Sequence, residues 1–105
     1  MIQKVVIAQN GTISGACEIA VQSYVGVLIP PLNSCTVFIL GSDELNGTYT
    51  RLQKEDWSAD LTTGTITTTG KAISLSAPFP FRFLKVEASA QQTTAARTFV
   101  ICSKC

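Results

Sequence analysis

The chain has 105 residues, of which 46% are hydrophobic and only 14% charged, with eight Lys and Arg against seven Asp and Glu. This length fits one domain, and we expect a single domain over residues 1–105. The basic residues are scattered singly, which argues against a nucleic-acid-binding stripe. No apolar run approaches the ~20 residues that span a bilayer, and the amino end lacks a secretory-signal pattern. We therefore expect no nucleic-acid or membrane partner, and synthesis in a cytoplasm.

The first third of the chain predicts three strands. Residues 2–9 (IQKVVIAQ) form an apolar run that an Asn10-Gly11 turn closes. Residues 12–20 predict a weaker strand interrupted by Gly15. Residues 24–29 (YVGVLI) predict the third, which Pro30-Pro31 ends because neither proline can donate a ladder hydrogen bond.

The clearest hairpin signal lies in the middle of the chain. Residues 36–40 (TVFIL) have the β-branched and aromatic composition of a strand buried on both faces. Residues 48–52 (TYTRL) alternate polar and apolar side chains, as a half-buried returning strand does. Between them, residues 41–47 (GSDELNG) form a loop with Asn46-Gly47 as its sharpest turn signal.

A polar connector and two weaker strands follow. Residues 54–60 hold Trp57, which either caps the core or stands exposed as a contact anchor. The threonine-rich residues 61–70 predict an exposed or edge strand with Ile66 turned inward. Residues 71–76 alternate cleanly and predict another strand.

The last part of the chain predicts a second hairpin after the Pro78-Phe-Pro80 elbow. Its arms are residues 81–88 and 97–102, and residues 89–96 connect them. Alternation gives an inward-facing set, which is Leu84, Val86, Phe99 and Ile101. No window repeats its apolar residues at helical spacing. The predicted fold class is all-β: an antiparallel β-sandwich of about eight strands, jelly-roll-like.

The cysteines leave several chemical states open. Cys17, Cys35, Cys102 and Cys105 can form two disulfides in three pairings, among which sequence cannot choose. Cys102 and Cys105 have zinc-knuckle spacing, but a second closely spaced pair is missing. Cys17 and Cys35 lie in apolar, strand-like stretches, where a free thiol behaves as a small hydrophobe. We expect reduced thiols in the core or the tail, with a bridge between neighbouring strands as the alternative.

The residue types for catalysis are sparse. The chain has no histidine, hence no imidazole base, no histidine-containing triad and no histidine metal ligand. Asp43, Glu44, Asp56 and Asp60 are candidates for a carboxylate pair, but loop acids mostly form solvated turns. Calcium binding by the Asp43–Glu44 loop is the sharper alternative, and it lacks the acidic register of an EF-hand. We expect no enzymatic activity, no catalytic or metal-binding residue and no cofactor.

The order of several motifs resembles that of a family of small tailed-phage virion proteins. The motifs are residues 29–43 (IPPLNSCTVFILGSD), 47–52 (GTYTRL), 81–89 (FRFLKVEAS), Gln91 and 96–102 (ARTFVIC). In that family a proline precedes a strand ending in a Ser-Asp-Gly-like loop, and a Tyr/Phe strand follows. An Arg-Phe-Leu-Lys-Val-type strand then pairs with a closing Arg-x-Phe/Ile strand. The resemblance covers roughly residues 13–103 and implies a discoidin-like β-sandwich.

Two positions depart from the family pattern. Leu32 or Asn33 stands where the family often has tryptophan, and the glycine of the loop is delayed to Gly47. Discoidin-like relatives elsewhere bind sugars through loop aromatics and arginines. Because this chain departs from the family pattern at these positions, no sugar-binding residue is carried over to it.

The resemblance implies a structural role in a virion. It predicts a capsid decoration (cement) protein on the virion surface, made in a bacterial host, which binds the major capsid protein. A symmetric homo-oligomer is expected, and a trimer would suit capsid three-fold positions. Exposure and shape predict the partner-contact residues, which are Met1, Ile2, Lys4, Asp43, Glu44, Asn46 and Trp57. The alternatives are a tail or neck accessory, or a carbohydrate-binding module using Tyr24, Tyr49 and Trp57.

Overall fold

The computed structural model describes residues 2–20, 23–52, 65–66, 69–75 and 79–104, and within these ranges the chain forms eight β-strands and no helix. The strands are β1 (Ile2–Ile7), β2 (Cys17–Glu18), β3 (Tyr24–Ile29), β4 (Val37–Ser42), β5 (Thr50–Arg51), β6 (Lys71–Ser74), β7 (Phe83–Ala88) and β8 (Arg97–Lys104). Met1, the Trp57 connector and most of the predicted threonine-rich strand lie outside the described residues.

The strands form two four-stranded antiparallel sheets. The front sheet has the order β1-β8-β3-β6, and the back sheet has the order β2-β7-β4-β5. The chain alternates between the sheets, so that among these strands only β4 and β5 are both consecutive and paired. Eight antiparallel strands with this connectivity make a jelly roll. The predicted all-β antiparallel sandwich is confirmed.

The core lies between the sheets because inward-facing residues alternate along every long strand. In β3 the residues Val25, Val27 and Ile29 are buried, while Tyr24 and Leu28 face outward. The predicted inward-facing set is confirmed, with Leu84, Val86 and Phe99 at 0% exposure and Ile101 at 1%. Ile66 is also turned inward as predicted, at 0% exposure.

The central hairpin is confirmed, with its loop two residues later than predicted, at residues 43–49 rather than 41–47. Leu40 pairs with Arg51 and Gly41 with Thr50. The strand β4 continues through Gly41 and Ser42, because both residues also pair with β7 on the other side. Burial on both faces was predicted for residues 36–40, yet Phe38 is only half-buried. Its ring lies on the outer side of the back sheet, beneath the Arg51 guanidinium.

The predicted hairpin between residues 81–88 and 97–102 is wrong. β7 pairs with β2 and β4 in the back sheet, and β8 pairs with β1 and β3 in the front sheet. Residues 89–96 cross the gap of about 10 Å that separates packed sheets. Both strands face the same core, so their alternating patterns are those that a hairpin would also show.

The crossing segment is fixed by a buried amide. Gln92 is 0% exposed, and its Oε1 accepts a hydrogen bond from the backbone N–H of Asn33 at 2.8 Å. Its backbone N–H donates to the Gly11 carbonyl at 3.1 Å, and its carbonyl accepts from the Asn10 N–H at 2.9 Å. Asn10 has a left-handed φ of 68°. Gln92 therefore ties the crossing to the end of β1 and to the segment that leads into β4.

Candidate interaction surface

The outer face of the front sheet, here called the front face, is unusually apolar. Its strands expose four large hydrophobic side chains: Ile2 at 71%, Tyr24 at 54%, Leu28 at 49% and Val6 at 46%. These residues occupy the outward positions of β1 and β3, opposite to the buried set. Exposed apolar side chains scattered singly are ordinary on soluble proteins, whereas a contiguous patch marks a contact surface.

Strand register places these side chains on one surface, with Val100 and Cys102 of β8 lying between β1 and β3. One row across the sheet is Lys4, Val100, Leu28 and Ala72, in the order of the strands. The neighbouring row toward one end of the sheet is Ile2, Cys102, Gly26 and Ser74. Directly opposite side chains on adjacent antiparallel strands lie about 4.5–5.5 Å apart at Cβ, so the side chains within a row contact one another except at Gly26.

A groove opens where the second row lacks a side chain. Gly26 stands between Cys102 and Ser74, and the space above it forms a groove of about 580 Å³. Ile2, Tyr24 and Lys104 also line this groove. Its floor is therefore backbone, its walls are largely apolar, and a lysine ammonium stands at its rim.

The charge on the front face has one sign. Lys4 and Lys104 occupy outward positions of β1 and β8 and are exposed. The outward positions of these four strands carry no Asp or Glu, and neither lysine forms an ion pair with a described residue. An apolar patch with exposed ammonium groups suits a partner that presents an apolar side chain beside carboxylates.

The outer face of the back sheet is different, because its charged and aromatic groups contact one another. Arg51 Nε donates to Glu87 Oε1 at 2.8 Å, and the Arg51 guanidinium lies 3.8 Å from the centre of the Phe38 ring. Lys85 Nζ lies 4.3 Å from the centre of the Tyr49 ring. Cations over aromatic faces are attracted by the ring quadrupole. These groups already have intramolecular partners, so the back face leaves fewer of its charged and aromatic groups available to another protein than the front face does.

The predicted contact residues fall on two separate features. Ile2 and Lys4 lie on the front face, whereas Asp43, Glu44 and Asn46 are exposed on the loop that follows β4. The sheet assignment separates them, because β1 belongs to the front sheet and β4 to the back sheet. The last two predicted contact residues, Met1 and Trp57, lie outside the described residues.

The loop of residues 43–47, here called the acidic loop, is held in shape by its own hydrogen bonds. Ser42 Oγ donates to the Glu44 carbonyl at 2.9 Å and accepts from the Glu44 N–H at 3.2 Å. The Gly47 N–H also donates to the Glu44 carbonyl, at 3.1 Å. The Tyr49 hydroxyl donates to the Leu45 carbonyl at 2.8 Å. The Leu45 side chain is left 54% exposed at the tip of a fixed backbone.

Sequence reasoning did not single out Val6 and Leu28 of the front face, or Leu45 within the loop, as protein contacts, and it offered Tyr24 only for sugar binding. A signal was present in β3, whose sequence YVGVLI has apolar or glycine residues at both inward and outward positions. A strand with one solvated face normally alternates apolar with polar residues. The outward positions of β3 therefore differ from those of an ordinary solvated strand face.

The described residues offer little for catalysis or metal binding. They contain no group of three or more His, Cys, Asp or Glu side chains that could hold a metal ion. Cys17, Cys35 and Cys102 are free thiols, and Cys17 and Cys35 are buried. Burial raises the pKa of the Cys17 thiol to about 11, so it stays protonated at neutral pH and is a poor nucleophile. The described part of the chain also has no helix of the length and apolarity needed to cross a membrane.

Comparison with known proteins assigns no family. No family model matches the chain, and no curated protein matches it significantly. The features that bear on function are therefore those of the molecule itself: an apolar front face with two lysines, a groove over Gly26, and a preformed acidic loop.

Proposed function

We propose that this protein is a non-enzymatic structural subunit of a tailed-phage virion. In this proposal it is a capsid decoration (cement) protein, which binds the major capsid protein as a symmetric oligomer and stabilises the shell. The observation that carries a contact role is the front face, where Ile2, Val6, Tyr24 and Leu28 stand between 46% and 71% exposed on one sheet surface. Such a face is stabilised when another protein covers it.

The size of the front face fits a contact repeated many times over a shell. Four strands about 4.8 Å apart and about six residues long give a projected area of roughly 400 Å². At about 25 cal/mol per Å² of apolar surface, burial of this area contributes at most roughly 10 kcal/mol, because its polar part contributes less, against an association cost of about 4–15 kcal/mol. A single contact of this kind is therefore weak. Repetition across a capsid adds many such contacts, and together they oppose the expansion of the shell.

The choice of a virion rests on the motif resemblance, and the β-sandwich is compatible with it. The family's pairing of the 81–88 strand with the 97–102 strand is absent here, because β7 pairs with β2 and β4 and β8 pairs with β1 and β3. Jelly rolls recur in viral capsid proteins and in lectin-like domains. Because one fold serves many functions, the fold favours neither of these uses. The motif order over residues 29–43, 47–52, 81–89 and 96–102 supports the phage assignment.

Gold-labelled antibody against this chain, applied to purified phage particles, tests the proposal. We expect label over the heads, and we expect particles stripped of the protein to lose heat resistance. A Leu28→Lys chain should fail to restore that resistance, whereas Thr50→Lys, which adds the same charge to an exposed position of the back sheet, should restore it. Particles without label, or stripped particles with full heat resistance, would contradict the proposal. Label confined to tails would instead favour a tail or neck accessory.

A carbohydrate-binding role is the second candidate, because Tyr24 is exposed at the groove. Aromatic side chains stack on sugar rings and commonly line such sites. Tyr49 is less suited to this role, since its hydroxyl donates to Leu45 and Lys85 covers its ring. A glycan array separates the two candidates: reproducible binding that is lost in Tyr24→Ala would favour the sugar, and a blank array would leave protein contact.

A further inference from the structure

We propose that copies of this chain associate head to tail, with the acidic loop of one copy docked in the front-face groove of the next. The inference deepens the proposed function and rests on it, because it names the self-contact of the expected oligomer. The occupant of the groove is thus a second copy of the chain. Leu45 provides the apolar knob, and Asp43 and Glu44 provide the charges.

The acidic loop is suited to insertion because its shape is already fixed. Hydrogen bonds from Ser42, Gly47 and Tyr49 hold its backbone, and Leu45 projects from the tip at 54% exposure. A preorganised segment loses less conformational entropy when it binds than a flexible one does. Docking would therefore retain most of the free energy gained by burying the Leu45 side chain.

The groove complements the loop in shape and charge. Its volume of about 580 Å³, above the bare backbone of Gly26, accommodates a leucine side chain together with part of the loop. The carboxylates of Asp43 and Glu44, which precede Leu45, carry the charge opposite to Lys104 at the rim of the groove and to Lys4 in the neighbouring row. Neither lysine has a carboxylate partner among the described residues. Complementary charges of this kind set the orientation of a contact and speed association.

The position of the two features makes the contact intermolecular. The acidic loop leaves β4 of the back sheet, and the groove opens on the outer side of the front sheet. The core of the sandwich lies between them, so a copy cannot fill its own groove. Each copy keeps one free loop or one free groove after docking, and such heterologous contacts close into rings or continue as filaments. A symmetric face-to-face dimer would instead bring four lysines together without a carboxylate.

Sedimentation velocity over a concentration series tests the inference with two variants that disable opposite halves of the contact. A Cβ on Gly26 would contact only the Ile73 carbonyl oxygen, at 3.4 Å, so Gly26→Val fills the groove without entering the core. Leu45→Ser removes the exposed knob. Each variant should associate at least 10-fold more weakly than the natural chain. Gly15→Ala is the control, since a Cβ there meets nothing within 4 Å, and it should associate normally.

Mixing the two disabled chains gives the sharpest result. Gly26→Val keeps its loop and Leu45→Ser keeps its groove, so an equimolar mixture should form one-to-one dimers that cannot grow. A symmetric interface would show no such complementation. A natural chain that stays monomeric at millimolar concentration, variants that associate like the natural chain, or a mixture that stays monomeric would each overturn the inference. Circular dichroism of each variant verifies folding, and Leu45→Ser alone decides the matter should Gly26→Val not fold.

The result of this test can be told apart from the result of the test of the proposed function. Complementation between the variants together with unlabelled phage particles would retain the head-to-tail contact and reject the virion role. Labelled phage heads, together with Gly26→Val and Leu45→Ser chains that associate as the natural chain does, would retain the virion role and reject the self-contact.

Discussion

Arg51 and Arg82 have the same ion-pair distance in different surroundings. Each places its Nε 2.8 Å from a carboxylate oxygen, of Glu87 and Glu18 respectively. Arg51 also lies 3.8 Å from the Phe38 ring centre, whereas Arg82 lies 5.7 Å from the Phe83 ring centre. The side chains of the Arg51 pair are 40% and 25% exposed, against 60% and 57% for the pair of Arg82. Partial burial and the aromatic contact, rather than the ion pair itself, decide how much each arginine contributes.

We expect Arg51→Ala to lower the free energy of unfolding by about 1–2 kcal/mol, because it removes a shielded ion pair and a cation–π contact together. The control Arg82→Ala should change it by less than about 0.5 kcal/mol, as exposed pairs usually do. Urea denaturation followed by circular dichroism measures both values. Equal losses in the two variants would show that burial and the Phe38 ring add nothing.

Cys17 makes stability depend on pH in the alkaline range. Burial raises the pKa of its thiol from 9.0 to about 11, so the unfolded chain releases this proton at lower pH than the folded chain. The contribution to stability is fully present below about pH 9 and is lost as the pH rises through 11. The stability of the natural chain relative to Cys17→Val should therefore fall by at most about 2 kcal/mol between pH 8 and 11. A difference that stays constant with pH would contradict this.

The residues that alternation could predict are those inside the sandwich. Leu84, Val86, Phe99 and Ile101 were assigned correctly because period-two patterning separates the two sides of a strand. Leu45 could not be identified in the same way. Its exposure depends on the hydrogen bond from Tyr49 and on how the loop turns, which no local pattern encodes.

At the scale of elements, the two predicted hairpins had different outcomes because their signals differ in kind. The β4–β5 hairpin closes through a local turn, in which the Gly47 N–H donates to the Glu44 carbonyl at 3.1 Å, and such a short-range turn favours pairing of the strands it joins. Residues 89–96 contain no comparable turn signal. After β7 the chain can either return as a neighbouring strand of the same sheet or cross to the other sheet, and strands far away in the chain decide between these two paths. The alternation of β7 and β8 is the same in both cases.

Gln92 holds that crossing, and its neighbour supplies a matched control. Its Oε1 accepts from Asn33, and its Nε2 donates to the Ala90 carbonyl at 3.0 Å inside a fully buried site. We expect Gln92→Ala to cost about 2–3 kcal/mol of unfolding free energy, because it leaves a cavity and removes the partner of a backbone N–H. Gln91→Ala, at an exposed position, should be nearly neutral. Thermal and urea unfolding of both variants measures this, and two neutral variants would mean that Gln92 is dispensable.

At the scale of the whole molecule, the two outer faces differ in their chemistry. The low charged fraction of 14% predicts a surface that is neutral, rich in Thr, Ser and Gln, or partly covered by another molecule. Sequence could not show which part, because the front face exists only once β1, β8 and β3 are placed side by side. Ile2 and Leu28 are far apart in the chain and come onto one surface through this strand order.

Cys102 provides a direct probe of whether the front face is covered, since it is partly exposed and lines the groove. The measurement is its rate of alkylation by iodoacetamide, followed by peptide mass spectrometry, in a Cys105→Ser chain that is either dilute and isolated or bound to phage particles. We predict at least 10-fold slower alkylation of Cys102 in the bound chain, with Cys17 and Cys35 slow in both states. Equal rates for Cys102 in the two states would show that the front face stays open to solvent and would contradict its role as the contact surface.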